Sequence, residues 1–303
     1  MENVLKTSGV TKIYAGKPAV NNVSMTIKKG DIYGFIGKNG AGKTTLIRMI
    51  TGIAKQNSGE IEILESKDLN FQRSRIGSII EYPSVYPNMT AAQNLEQYRI
   101  LLGIPDKNCV QEILKTVDLT DTGKKKAGNF SLGMKQRLGI GIALLGNPDF
   151  LILDEPINGL DPSGIKNIRE LILKLNKENG ITFLISSHIL GELAKIATCY
   201  GIINNGILVD EFSKEQLELR CKRCLKVKVD NAKKAAVVLE TVLKITNYDV
   251  LSDNDIRIFD MLDEAEKVNA VLIKNDVSVK SISAGGQDLE GYFMELMEEQ
   301  KNA

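Results

Sequence analysis

Apolar residues in the first two thirds of the chain occur in short continuous runs and in stretches with helical spacing. Short apolar runs bounded by turn residues are typical of buried strands, and recurrence every three or four residues is typical of helices. Strands that alternate with such helices predict an α/β fold with a mainly parallel sheet. The predicted strands are 32–36, 150–153 and 181–186, and the predicted helices are 43–50 and 165–179.

Residues 88–145 have a different pattern, with three successive helical periodicities and no strand between them. Thr90 and Gln93 form a capping-box pattern at the start of the first helix. The apolar positions of the other two are Val110, Ile113, Leu114 and Val117, followed by Met134, Leu138, Ile142 and Leu145. We therefore predict a helical insertion within the α/β core.

The pattern changes again after about Phe212. Leu225 to Val229 alternates apolar residues with lysines, which is typical of a half-buried strand. The following segments predict the order β-α-β-β-α-β-α, with the last helix starting at Asp288, and this order indicates a small α+β domain. We predict two domains, an α/β domain over 1–215 and a C-terminal α+β accessory domain over 216–303.

Composition and charge narrow the classes of function. The 303 residues are 43% hydrophobic and 25% charged, which is ordinary for a globular protein. Lys and Arg total 39 against 38 Asp and Glu, and a net charge of +1 argues against a dedicated nucleic-acid binder, which would have a basic excess. No apolar run is long enough to cross a bilayer, so a role at a membrane would require a partner.

The four cysteines are expected to be reduced thiols, because the N-terminus lacks the apolar segment of a secretion signal. Cys221 and Cys224 form a C-x-x-C pair, which would be half of a redox or metal site. No second pair is near it in sequence, so we interpret the two as ordinary cysteines.

Residues 37–44, Gly-Lys-Asn-Gly-Ala-Gly-Lys-Thr, satisfy the phosphate-loop pattern G-x-x-x-x-G-K-[ST] between a predicted strand and a predicted helix. Glycines let backbone N–H groups surround phosphate oxygens, and the helix N-terminus adds its positive dipole end. The Lys43 ammonium suits the β- and γ-phosphates of ATP, and the Thr44 hydroxyl suits Mg²⁺. The expected nucleotide-binding residues are Gly37, Asn39, Gly40, Gly42, Lys43, Thr44 and Thr45.

A second motif, Leu-Ile-Leu-Asp-Glu at 151–155, is an apolar strand that ends in two carboxylates. Alone it could equally be a strand entering a polar loop. Paired with the phosphate loop it defines a P-loop NTPase, in which Asp154 would hold Mg²⁺ directly or through water. Glu155 would accept a proton from the attacking water.

Residues 130–137, Phe-Ser-Leu-Gly-Met-Lys-Gln-Arg, resemble the signature Leu-Ser-Gly-Gly-Gln-x-Gln-Arg of the ABC ATPase family, although Leu132 and Met134 depart from it. The resemblance covers about residues 1–215. It implies an ABC ATPase core in which Ser131 and Gly133 face the ATP of a second subunit. Ser131 is also a good helix N-cap, and both interpretations can hold.

Other residues of the family pattern follow in the expected order. Asn158 to Pro162 resembles the D-loop and places Asp161 at the nucleotide. His188 matches the switch histidine, which implies a contact with the γ-phosphate and orientation of water together with Glu155. Tyr14 resembles the aromatic residue that stacks on adenine, although an aromatic near a strand end is often part of a core.

Glu81 stands where the family usually has a glutamine that binds Mg²⁺ and senses the membrane partner. A carboxylate oxygen can also bind Mg²⁺, so Glu81 is a candidate ligand; the alternative is a surface acid without a role. This Glu, the Met134-containing signature and the extra C-terminal domain resemble the ATPases of exporters that confer immunity or resistance to lantibiotics and bacitracin-like peptides.

The resemblance implies an ATP-hydrolysing exporter subunit that works as a homodimer with integral membrane permease subunits. It would be cytoplasmic and held at the inner face of the membrane by those permeases, with no nucleic-acid partner. The alternatives are an ABC transporter ATPase for another drug, lipid or ion, and a non-transport ABC ATPase. The latter is disfavoured by the single motif set and the absence of long heptad segments.

Overall fold

The computed structural model describes residues 2–221, 223–286 and 291–293. The chain divides into two compact units, Met1–Lys214 and Glu215–Ala303. The strands of the first unit are β1 (Asn3–Tyr14), β2 (Lys17–Lys28), β3 (Ile32–Ile36), β4 (Ser58–Ile63), β5 (Ile76–Ile79), β6 (Phe150–Asp154), β7 (Thr182–Ser187), β8 (Cys199–Asn204) and β9 (Ile207–Ser213). Its helices are α1 (Lys43–Ile50), α2 (Leu69–Arg73), α3 (Ala91–Leu101), α4 (Cys109–Thr116), α5 (Leu132–Leu144), α6 (Pro162–Asn179) and α7 (Leu190–Leu193).

A six-stranded sheet in the order β5-β6-β7-β3-β8-β9 forms the centre of the first unit. Its strands are parallel except β9, which pairs antiparallel with β8. Every residue of β3, β6 and β7 is buried, which explains why these strands are continuous apolar runs rather than alternating ones. The predicted parallel α/β core is confirmed.

A second sheet, in the order β2-β1-β4, is antiparallel and was not predicted. β1 and β2 are joined by a tight turn with positive φ at Ala15 and Gly16. The register between them shifts at several points. Each shift changes which side chains face the core, and this interrupts the alternation that would have revealed the strands. Side chains from this sheet, α1 and the central sheet share one buried core, which includes Val23, Phe35 and Leu46.

Helices α3, α4 and α5 form the predicted insertion after β5. The predicted capping box is present, because the Thr90 side chain accepts from the Gln93 backbone N–H and the Gln93 side chain accepts from the Thr90 N–H. The first turn of α3 is therefore satisfied by its own residues.

The second unit contains α8 (Lys214–Cys221, whose first residue ends the first unit), β10 (Cys224–Val229), α9 (Ala232–Thr241), β11 (Tyr248–Val250), β12 (Asp255–Ile258), α10 (Ala265–Lys274) and β13 (Val279–Gly285). Its sheet is antiparallel in the order β11-β12-β10-β13. The β-α-β-β-α-β sequence with this order is a ferredoxin-like arrangement. Residues 291–293 are helical, whereas Asp288, the predicted start of the last helix, lies outside the described residues.

The four cysteines are thiols rather than disulfides, as expected. The pKa of the Cys199 thiol is raised to about 12, mainly because the thiol is buried.

Asn94 joins the insertion to the loop that leaves the sheet. Its side chain is completely buried. The Oδ1 atom accepts from the Tyr86 N–H at 2.7 Å, and Nδ2 donates to the carbonyl oxygens of Tyr86 and Thr90 at 3.1 and 2.9 Å. One amide thus satisfies backbone groups that would otherwise lack partners in the loop.

We expect Asn94→Ala to lower the free energy of unfolding by about 2–3 kcal/mol, because it removes the partners of these buried polar groups. Urea denaturation followed by circular dichroism measures the change. Gln97→Ala on the exposed side of the same helix is the control and should cost little. Equal stability of the two variants would contradict a special role for the Asn94 amide.

Candidate functional site

The phosphate loop and three other predicted site residues lie at the carboxyl ends of three adjacent strands. The phosphate loop follows β3, Asp154 ends β6 and His188 follows β7, and β7 lies between the other two strands. Loops at the carboxyl ends of parallel strands meet at one edge of the sheet, where α/β proteins form their ligand sites. The topology therefore brings together residues that are more than 100 positions apart in sequence.

Residues 37–42 form a loop that depends on its glycines. Gly40 and Gly42 have φ of +81° and +111°, which side-chain-bearing residues rarely adopt. A Cβ at Gly42 would lie 2.6 Å from the Ala19 carbonyl oxygen, and one at Gly37 would lie 2.6 Å from that of Ile203. Nothing lies within 4 Å of a Cβ at Gly40, so the backbone there is open to a ligand.

Lys43 begins α1, and its side chain is buried within the loop. The Nζ atom donates to the Gly37 carbonyl at 2.6 Å and to the Lys38 carbonyl at 3.3 Å. It also lies 3.2 Å from Glu155 Oε1. The ammonium and the helix N-terminus thus supply positive charge at one point, which suits a phosphate group.

Asp154 is almost completely buried and uses both carboxylate oxygens. Oδ2 accepts from the Thr44 hydroxyl at 2.8 Å, and Oδ1 accepts from the Ser186 hydroxyl at 2.5 Å. A buried carboxylate needs such donors to remain charged. The predicted metal ligands Thr44 and Asp154 are therefore in direct contact.

These two side chains fit Mg²⁺. Both offer oxygen atoms, and Mg²⁺ is usually bound by one or two carboxylates together with water and substrate phosphates rather than by a cage of protein ligands. The described part of the chain contains no group of three or more His, Cys, Asp or Glu that could hold a metal.

Glu155 has φ of +50°, so the backbone turns sharply directly after β6. This turn directs its carboxylate towards two partners. Oε2 lies 2.8 Å from His188 Nδ1, and Oε1 lies at ion-pair distance from Lys43 but outside hydrogen-bond geometry. A buried carboxylate oxygen without a hydrogen bond can accept one from a water or a proton donor. Glu155 and His188, the two candidate catalytic residues, are therefore in direct contact.

Glu81 contacts Arg48 of α1 rather than Thr44 or Asp154. Its Oε1 accepts from Arg48 Nη2 at 2.6 Å, and both side chains are largely exposed. Glu81 also has a positive φ of +63°. The carboxylate thus lies beside the helix of the phosphate loop, paired with a cation that the sequence analysis did not identify.

Ser131 and Asp161 are both helix N-caps. Ser131 Oγ accepts from the Met134 N–H at 3.3 Å at the start of α5, as predicted. The Asp161 carboxylate accepts hydrogen bonds from the Ser163 hydroxyl and the Gly164 N–H. Both lower the pKa of this carboxyl, the Ser163 hydrogen bond by more. A Cβ at Gly133 would make only ordinary contacts, with Gly164 Cα at 3.8 Å and Leu160 Cδ2 at 3.9 Å, so packing against the described residues does not require a glycine there.

Tyr14 ends β1, and 47% of its surface is exposed. The Lys12 ammonium lies 5.0 Å from the ring centroid. The tyrosine is therefore a surface ring rather than part of a core.

Asn39 is also exposed, at the tip of the phosphate loop, and Thr45 follows Thr44 in the first turn of α1.

Two contacts of the candidate site were missed in the sequence. Ser186 was interpreted only as a strand residue, and Arg48 only as part of a helix. Neither has a motif of its own. Only the pairing of Asp154 with Ser186 across β6 and β7 could have indicated the first contact, and that register is a property of the folded sheet.

Comparison with known proteins agrees with this geometry. A protein-family model described as ABC transporter matches residues 20–158. The uncharacterized ABC transporter ATP-binding protein YcbN of Bacillus subtilis is 46% identical over 98% of both chains. The chain belongs to the ABC transporter ATP-binding proteins.

Relatives of this ABC ATPase include proteins with named substrates. The bacitracin transport ATP-binding protein BcrA of Bacillus licheniformis is 43% identical over 98% of both chains. The lantibiotic transport ATP-binding protein SrtF of Streptococcus pyogenes is 43% identical over 69% of this chain and 90% of its own. The resemblance to ABC ATPases of bacitracin and lantibiotic exporters, which was noted in the sequence, is confirmed.

The ABC ATPase is also similar to solved structures. A dimeric ATP-binding cassette in a post-hydrolysis state, bound to ADP and Pi, has 27% identity and a TM-score of 0.63, covering 69% of this chain and 98% of that one. An ABC transporter cassette in an ADP conformation has 29% identity and a TM-score of 0.65, covering 73% and 94%. The P-loop ABC ATPase fold is confirmed.

No helix in the described ranges of the ABC ATPase has both the length and the apolar character needed to cross a membrane.

Proposed function

We propose that this ABC ATPase hydrolyses ATP with Mg²⁺ to drive an exporter that removes a lantibiotic or a bacitracin-like peptide. The observation that supports the chemistry is the convergence of Lys43, Asp154, Glu155 and His188 at one edge of the central sheet. The full-length similarity to bacitracin transport ATP-binding proteins supports the substrate class.

Each side chain has a role that its contacts support. The phosphate loop and Lys43 bind the phosphates, with Tyr14 as the candidate adenine contact. Thr44 and Asp154 hold Mg²⁺, which neutralises phosphate charge. Glu155 accepts the proton of the attacking water, and His188, at hydrogen-bond distance, orients that carboxylate. Glu81 is the candidate additional ligand.

Two copies would form the working ATPase. Ser131, Gly133 and Asp161 lie at helix N-termini, where backbone N–H groups favour phosphate. A similar cassette was solved as a dimer. We therefore place these three residues against the nucleotide of the second copy in a homodimer.

Membrane permease subunits would complete the transporter and hold the ATPase at the inner face of the membrane. A cavity of about 350 Å³ lies between the edge of the central sheet and the insertion, lined by Ile53, Ile79, Tyr82, Pro83, Tyr98 and Ile142 among others. Ile53 and Tyr82 are 68% and 79% exposed. Exposed apolar side chains around a groove mark an interaction site, which we assign to a cytoplasmic segment of a permease.

Another transported compound is the second candidate. The linearmycin resistance ATP-binding protein LnrL of Bacillus subtilis is 30% identical over 97% of this chain and 98% of its own. The transported compound would contact the permeases. The ATPase role that we propose for this chain is therefore the same for a peptide and for another compound.

We expect Glu155→Gln to bind ATP but to lower kcat by at least about 100-fold, because the amide cannot accept a proton. The variant should accumulate as an ATP-bound dimer, measured by size-exclusion chromatography with light scattering. Glu170→Gln, at an exposed carboxylate of α6, is the control and should hydrolyse normally. Normal hydrolysis by Glu155→Gln would remove Glu155 from its role.

We expect Glu81→Gln to keep most of its kcat at saturating Mg²⁺ but to need a higher Mg²⁺ concentration for half-maximal rate, because an amide oxygen carries no charge. Arg48→Gln breaks the same exposed ion pair without changing the candidate ligand. A Mg²⁺ titration of both variants separates the two effects. An unchanged titration for Glu81→Gln, or the same shift in both variants, would exclude Glu81 as a ligand.

The substrate class is tested by survival. Cells that express this chain with its neighbouring permease genes should resist a lantibiotic or bacitracin, and the Lys43→Ala version should not. Unrelated drugs serve as the comparison. Protection against none of the peptides, with ATPase activity retained, would favour the second candidate.

A further inference from the structure

Ser186 joins the two carboxylate residues of the site through one hydroxyl. Its Oγ donates to Asp154 Oδ1 at 2.5 Å and accepts from the Glu155 backbone N–H at 2.9 Å. The side chain is completely buried, at the carboxyl end of β7. The parallel register places Ser186 opposite Asp154, so the contact is built into the sheet.

The hydrogen bond from the Ser186 hydroxyl to Asp154 sets the rotation of the Asp154 carboxylate. Asp154 has two partners, the Thr44 hydroxyl on Oδ2 and the Ser186 hydroxyl on Oδ1. Thr44 is itself assigned to the metal, whereas Ser186 is not. The Ser186 hydroxyl is therefore the partner that holds the carboxylate plane independently of the ligand set.

The hydrogen bond from the Glu155 N–H to the Ser186 hydroxyl supports the turn at Glu155. A residue with side chain at φ of +50° costs free energy, and it persists where its surroundings hold it. The Glu155 N–H is shared between the Ser186 hydroxyl and the Ser186 carbonyl oxygen, the latter at 3.2 Å. The direction of this turn decides where the carboxylate that meets His188 points.

We propose that Ser186 is a positioning residue for ATP hydrolysis, which orients Asp154 towards the metal site and Glu155 towards the attacking water through the same hydroxyl. The inference rests on the roles proposed above for these two carboxylates. Ser186 itself contacts neither nucleotide nor metal in this assignment.

The next residue provides a matched control. Ser187 is also completely buried and also belongs to β7. Its hydroxyl is hydrogen-bonded to Ile189, accepting from the N–H at 2.9 Å. Ser187→Ala therefore removes a hydroxyl of equal burial on the same strand without touching Asp154 or Glu155.

The experiment compares Ser186→Ala with Ser187→Ala in the full chain. We expect Ser186→Ala to lower kcat by about tenfold or more, equivalent to about 1.4 kcal/mol. The gain in binding of a fluorescent ATP analogue on adding Mg²⁺ should shrink, whereas binding without Mg²⁺ should stay the same. Ser187→Ala should leave the Mg²⁺ response intact.

Thermal unfolding of each variant shows whether the fold is kept. If Ser186→Ala unfolds, Ser186→Cys decides, since the slightly larger thiol leaves no cavity but is a weak donor; it should fold and show the same loss of kcat and Mg²⁺ response. Equal kcat and equal Mg²⁺ response in the Ser186 and Ser187 variants would overturn the proposal. A normally active Glu155→Gln would instead overturn the proposed function, and this inference with it.

Discussion

The parallel pairing of β6, β7 and β3 is the constraint on which the site depends. The register places Asp154 opposite Ser186 and Ile36 opposite Ser187, so the three following loops leave the sheet at the same level. All residues of these strands are buried, and their backbone groups have no water to replace the ladder hydrogen bonds. The sheet therefore fixes the points at which the phosphate loop and the loops that carry Glu155 and His188 begin.

Positive-φ backbone conformations occur at this same edge, at Gly40, Gly42 and Glu155. Glycines provide them in the phosphate loop, where a Cβ at Gly42 would collide with the Ala19 carbonyl. Glu155 adopts one although it carries a side chain, and Ser186 and His188 hold it on both sides. Strain of this kind is kept where contacts over-determine it, and here those contacts are the ones that orient the carboxylate.

The two compact units differ in how widely their relatives share them. The similarity to the bacitracin transport protein BcrA spans 98% of this chain and so includes the ferredoxin-like unit, whereas the match to the lantibiotic transport protein SrtF spans 69%. The residues that we propose for ATP hydrolysis all lie in the first unit, namely the phosphate loop, Asp154, Glu155 and His188.

Continuous apolar runs and unusual local motifs were readable in the sequence. β3, α1 and β6 were predicted within a residue, because a strand buried on both faces is apolar throughout and a phosphate loop needs glycines at defined positions. In the second unit the order β-α-β-β-α-β from β10 to β13 was predicted, helped by the alternating burial of β10 and β12, whereas α8 was missed. By contrast, β1 and β2 were missed, since their shifting register conceals the alternation.

The site itself was only partly determined by the sequence. Residue types and motif order were enough to name Lys43, Asp154, Glu155 and His188 as its members. Their contacts depend on which strands become neighbours, and so do the partners Ser186 and Arg48, which belong to no motif. Local sequence encodes the turn and the charge at each strand end. Only the tertiary pairing of the strands decides which charged group faces which hydrogen-bond donor, because the distance between two groups far apart in sequence is set by the folded sheet.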